Sequence, residues 1–151
     1  MSIFSRKPLL DAEVQNQVVE RIKAAELKTT GEVRVFVEAR CAYVDPMDRA
    51  KEIFSQLAMD QTEKRNAVII YVAIKDRQFA LFGDIAIYEL AGGPKFWETA
   101  AQHLVAKLKA GKMGEAICDC IDELSNAMAQ FFPYDPSITR NELPDEIVFG
   151  K

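Results

Sequence analysis

The longest uninterrupted apolar run, Ala67 to Ile74, lies near the middle of the chain with polar residues on both sides. It is rich in β-branched residues and about one strand long. A run with no polar face predicts a central strand covered on both sides. Asp76-Arg77 then interrupts the pattern and Gln78 to Phe82 runs back, which predicts a hairpin. Upstream, Val14, Val18, Ile22 and Ala25 recur at helical spacing within Pro8–Lys28, widened by Val19 and Leu27. Asp11 is the expected N-cap, and Thr29-Thr30-Gly31 the stop. Glu32 to Cys41 alternates instead: Val33, Val35 and Val37 face one way, Arg34, Phe36 and Glu38 the other. That mixed pattern places it nearer an edge than Ala67–Ile74. A helix is expected from Met47 to Met59, led in by Pro46, with Ala50, Ile53, Phe54 and Leu57 buried.

Beyond the hairpin, Ile85–Leu90 reads as a helical turn or loop leading into Ala91-Gly92-Gly93-Pro94. Two helices follow: Lys95–Ala110, packing through Trp97, Ala100, Ala101, Leu104 and Leu108, and Met113–Phe132, packing through Ile117, Ile121, Leu124, Met128 and Phe131. Pro133 ends the second. The order helix, strand, helix, strand, strand, helix, helix implies an α/β fold, a three-layer α/β/α sandwich around a small mixed sheet. The strand–helix–strand unit makes the first two strands parallel through a right-handed crossover, and the hairpin adds an antiparallel third. Residues 1–133 form one domain. Residues 134–151 form a polar tail, with Ile147-Val148-Phe149 loosely attached or adding an edge strand.

Composition narrows the partners. A chain of 151 residues is long enough for one core. The net charge of −4 argues against a nucleic-acid partner. No window reaches the roughly 20 apolar residues of a membrane span. MSIFSRKPLL lacks the apolar core and small-residue cleavage site of a signal peptide, so a cytoplasmic location is expected. Cys41, Cys118 and Cys120 are expected to be reduced packing residues. One histidine and three cysteines are too few, at these spacings, for zinc.

The succession TGEVRVFVE (Thr30–Glu38), FSQLAMDQT (Phe54–Thr62), RNAVIIYVAIKDRQFALFGD (Arg65–Asp84) and a tryptophan-bearing helix resembles the TPM domain family. It is most similar to the small, single-domain bacterial branch, over roughly Asp11 to Phe132. The family includes thylakoid-lumen proteins linked to photosystem II repair. The resemblance implies an α/β/α sandwich. It implies three further associations: an acid phosphatase activity attributed to a plant member, calcium or another divalent ion in some bacterial members, and action through protein partners in others. The position before Asn66 is often acidic in the family and is Arg65 here, which alters any site built on that carboxylate.

The topology divides the candidate residues between the two ends of the sheet. One end collects Thr30, Glu32, Thr62, Glu63, Arg65, Asn66 and Asp84. Glu32, Asn66 and Asp84 are hard oxygen donors of the kind that hold Ca2+ or Mg2+, with Thr62 and Arg65 beside them. The alternative is that Arg65 pairs with Glu32 or Asp84, and Asn66 caps a turn. The other end collects Asp45, Asp48, Asp76 and Arg77, where open α/β sheets bind ligands, although Asp76-Arg77 also suits a plain turn. His103, the only histidine, lies away from both ends. No nucleophile is paired with a base, and no glycine loop is shaped for phosphate. Two functions remain open: a binding or regulatory domain, with a protein partner or an ordering divalent cation, and a metal-dependent phosphatase-like hydrolase.

Overall fold

The seven residues from Ala67 to Ala73 are buried without exception, and alternation sends them to two different cores. Val68, Ile70 and Val72 face one layer of helices; Ala67, Ile69, Tyr71 and Ala73 face another. In the computed structural model, which describes residues 8–90, 93–138 and 146–150, this segment is β2. The order is α1 (Ala12–Glu26), β1 (Glu32–Glu38), α2 (Pro46–Gln56), a 3-10 turn (Met59–Gln61), β2 (Ala67–Ala73), β3 (Gln78–Gly83), α3 (Ile85–Leu90), α4 (Gly93–Lys109), α5 (Met113–Phe131) and β4 (Val148–Phe149). Ala91-Gly92 of the expected loop and residues 139–145 of the expected tail lie outside the described residues.

The sheet order is β3-β2-β1-β4. β1 and β2 are parallel from Glu32↔Ala67 to Glu38↔Ala73, and β3 returns antiparallel with Val68↔Gly83 and Ala73↔Gln78. Val148 and Phe149 add a short parallel strand against Phe36 and Val37. One face carries α1, α4 and α5 through Val18, Ile22, Leu104, Ile117, Ile121 and Leu124. The opposite face carries α2 through Ala50, Ile53 and Phe54. This is the three-layer α/β/α sandwich that the element order implies.

Several boundaries shift for local reasons. Asp11 caps α1 by accepting from Val14 N at 2.9 Å, as expected, but Leu27 is the C-cap and is exposed rather than part of the stripe. α2 stops at Gln56 because Ala58 adopts a left-handed φ of 54°, and Met59 is buried from the 3-10 turn that follows. β1 ends at Glu38, before Cys41, whose N–H is taken by the Asp76 carboxylate. Ile85–Leu90 is a short helix, and α4 begins at Gly93. At the end of α5, Phe132 turns into the core and Phe131 is left exposed.

Candidate functional site

The amino ends of β1 and β2, with the end of β3, gather Thr30, Thr62, Asn66 and Asp84, all buried. Arg65 sits just before β2 with a φ of 52°. Its N–H donates to Thr62 O at 3.2 Å, and its own carbonyl accepts from Ala86 N at 3.2 Å. The loop is therefore tied at both sides, and the guanidinium reaches Asp84. Arg65 Nε donates to Asp84 Oδ2 at 2.6 Å and Nη2 donates to Oδ1 at 2.8 Å. This is a bidentate, charge-assisted pair. Asp84 Oδ1 also accepts from Ile85 N at 2.7 Å. The hydrogen bonds to Asp84 hold the Arg65 guanidinium above its ordinary range.

Asn66 has no exposed surface. Its N–H donates to Thr62 Oγ1 at 3.3 Å, its Nδ2 donates to Thr30 Oγ1 at 3.5 Å, and its carbonyl accepts from Glu32 N at 3.2 Å. Its Oδ1 has no hydrogen-bond partner among the described residues. Glu32 is buried on the face of β1 that also bears Arg34. Burial lowers the pKa of Arg34, opposed by the charges of Glu146 and Glu32. The expected donors thus reach one end of the sheet, but Asp84 has both oxygens turned to Arg65. Among the described residues no three His, Cys, Asp or Glu side chains come together as a metal group. In this arrangement Arg65 occupies Asp84, and Asn66 Oδ1 is the donor left without a partner among the described residues.

At the carboxyl ends of the parallel strands, Asp45 and Asp76 are both occupied by backbone. Asp45 caps α2 by accepting from Met47 N at 2.9 Å. Asp76 accepts from Cys41 N at 2.7 Å and from Arg40 Nη1 at 2.9 Å, tying the hairpin to the loop after β1. The larger construction here is one the sequence reading missed. Glu38 ends β1 on the α2 side, and Arg49 of α2 clamps it with Nε at 2.9 Å and Nη2 at 3.0 Å. The Tyr71 hydroxyl donates to the same carboxylate, and Arg49 continues to Glu52, which accepts from Tyr43. Burial, then the bond to Glu38, raises the Tyr71 pKa. The signal was available: alternation puts Glu38 on the Phe36 face, and Arg49 precedes the buried Ala50 on the helix covering it. Gly150 closes over Glu38, where a Cβ would stand 2.7 Å from Oε1.

His103 is exposed on α4, with Nδ1 2.7 Å from Glu123 Oε2. His103, Glu123 and Cys120 line a common cavity of about 410 Å³. Burial pushes the Cys120 thiol up to about 12, so it is protonated at neutral pH and not poised as a nucleophile. All three cysteines are free. Among the described residues no helix is long and apolar enough to cross a membrane.

Comparison with known proteins agrees with this fold. The TPM domain family matches residues 4–127. The solution structure of the BA42 protein from the psychrophilic bacterium Bizionia argentinensis is similar over 97% of this chain and 99% of its own, with 34% identity and a TM-score of 0.88. The N-terminal domain of the cg2496 protein from Corynebacterium glutamicum shares the fold at 11% identity, over 95% of each chain, with a TM-score of 0.60. No curated protein matches.

Proposed function

The chain belongs to the TPM domain family, and we propose that it is a binding or regulatory domain rather than a hydrolase. The observation that carries this reading is the Arg65–Asp84 pair. Asp84 is the carboxylate that a metal-assisted hydrolysis would need for its ion, and here a guanidinium neutralises it. Arg65, the group that could have oriented a phosphate, is engaged by the same contact. A protonated, buried Cys120 and a surface His103 supply no activated nucleophile. The free cysteines support a reducing, cytoplasmic setting.

A second reading keeps Glu32, Asn66 and Asp84 as oxygen donors to Ca2+ or Mg2+. The unpartnered Asn66 Oδ1 favours it, and it requires Arg65 to leave Asp84. The phosphatase alternative rests on family resemblance and depends on the same release. Hydrolysis of p-nitrophenyl phosphate, with and without Mg2+ and Ca2+, tests the main reading. Native chain and Asp84→Ala are both expected at background. Turnover in the native chain that disappears in Asp84→Ala would overturn it and restore the hydrolase.

A further inference from the structure

β3 ends the sheet, and among the described residues no backbone group pairs with its outer side. The register says which groups face outward. Asp84 N donates to Ala67 O at 2.8 Å, and the next pair along is Val68↔Gly83. Antiparallel pairs alternate between bonded and non-bonded. Phe82, Ala80 and Gln78 therefore turn their backbone groups to β2, and Phe79, Leu81 and Gly83 turn theirs outward. An open edge of this kind is a template for another strand.

A groove follows the edge. At the Gly83 end its walls are Met47 and Lys51 of α2, Tyr88 of α3 and Trp97 of α4, around about 430 Å³. At the Phe79 end the walls are Met47, Trp97 and Ala101 with Asp45 and Glu98 at the rim, around about 260 Å³. Met47 and Trp97 belong to opposite helical layers, so the slot lies in the plane of the sheet. The Trp97 ring stands over Gly83, where a Cβ would come within 2.8 Å of it. The two ends differ in charge. Lys51 Nζ lies 5.8 Å from the Phe82 ring centroid and makes no salt bridge among the described residues. Acidic groups mark the other end.

We propose that this groove takes an extended, apolar peptide, which adds to the edge of β3 as a further strand with an acidic residue beside Lys51. The proposal rests on the binding-domain reading and names its ligand class. Backbone bonds to Phe79, Leu81 and Gly83 supply affinity, and the helical walls select side chains. Phe79 to Gly83 admits about five residues, at about 3.4 Å each.

The test uses the full chain in solution. The probes are acetylated, amidated pentapeptides of alternating valine and threonine with glutamate at one end or the other, their lysine counterparts, and versions N-methylated at alternate residues. Amide exchange by NMR reads the result. A glutamate peptide should slow exchange at Phe79, Leu81 and Gly83, with little change at Ala80 and Phe82. The N-methylated versions should have no effect. The native chain should favour glutamate over lysine by about five-fold, the scale of one exposed ion pair, and Lys51→Glu should reverse the preference. No added protection at millimolar peptide, or equal binding of the N-methylated version, would overturn the proposal. So would a free chain already dimeric with those three amides protected, because a second copy would then be the occupant. None of these outcomes bears on the phosphatase assay, so the two readings fail separately.

Discussion

Arg65 carries a left-handed backbone conformation and a half-exposed guanidinium, yet it holds a buried carboxylate. Arg65→Ala should leave Asp84 short of its main partner and lower the midpoint of urea denaturation. At the opposite end of the sheet, Tyr71→Phe deletes one donor to Glu38 and leaves the Arg49 clamp in place. It should cost about 2 kcal/mol, a loss to be compared with that of Arg65→Ala in the same assay. Cys120 makes stability pH-dependent. Its folded pKa is raised to about 12, so above the ordinary thiol value near 9 the unfolded chain ionises while the folded chain does not. Stability is fully present below pH 9 and falls with rising pH towards 12, by about 1.4 kcal/mol per unit for this one group. Cys120→Ala should make that limb shallower in unfolding curves measured across this range, leaving the smaller contributions of Cys118 and Tyr71. Single-residue roles were the hardest to read from the sequence. The ion pair of Arg65 with Asp84 was one of two alternatives there, because topology shows that two groups share an end but not whether they touch. Glu38 was placed on the correct face and given no role, because its partner Arg49 comes from a helix whose rotation no spacing determines.

The elements were more legible, for reasons visible in particular segments. β2 could be read from an apolar run that has nowhere to lie except between two layers. α1 could be read from a stripe and a cap that agree. The hairpin could be read because Asp76 interrupts two β-prone runs, and the left-handed φ of 54° at Arg77 shows the turn at work. Boundaries were less so: Ala58 breaks the helical run with a conformation that alanine does not advertise. Gly83 is explained by packing. In Gly83→Ala the new Cβ would stand 2.8 and 2.9 Å from Trp97 ring carbons. The ring must move, at a cost of about 1–3 kcal/mol. A shifted Trp97 emission maximum, the chain having one tryptophan, together with a lower urea midpoint, is the expected outcome.

At the scale of the whole molecule the sandwich is unequal. Three long helices cover one face of the sheet and α2 covers the other. The two sheet edges also differ. β4 partly closes the β1 side, and Gly150 N donates to Val37 O at 2.8 Å there. The β3 side stays open among the described residues. The proposed binding role rests on a polar end in which Arg65 neutralises Asp84 and on that open edge. Thermal unfolding of the native chain, Arg65→Ala and Asp84→Ala, with and without millimolar Ca2+ or Mg2+, tests this most directly, since a bound ion raises the melting temperature by mass action. The account predicts that the native melting temperature moves by less than about 2 °C, the scale of roughly 1 kcal/mol in a domain of this size. A larger rise in the native chain that vanishes in Asp84→Ala would contradict it and place a cation where Arg65 now stands.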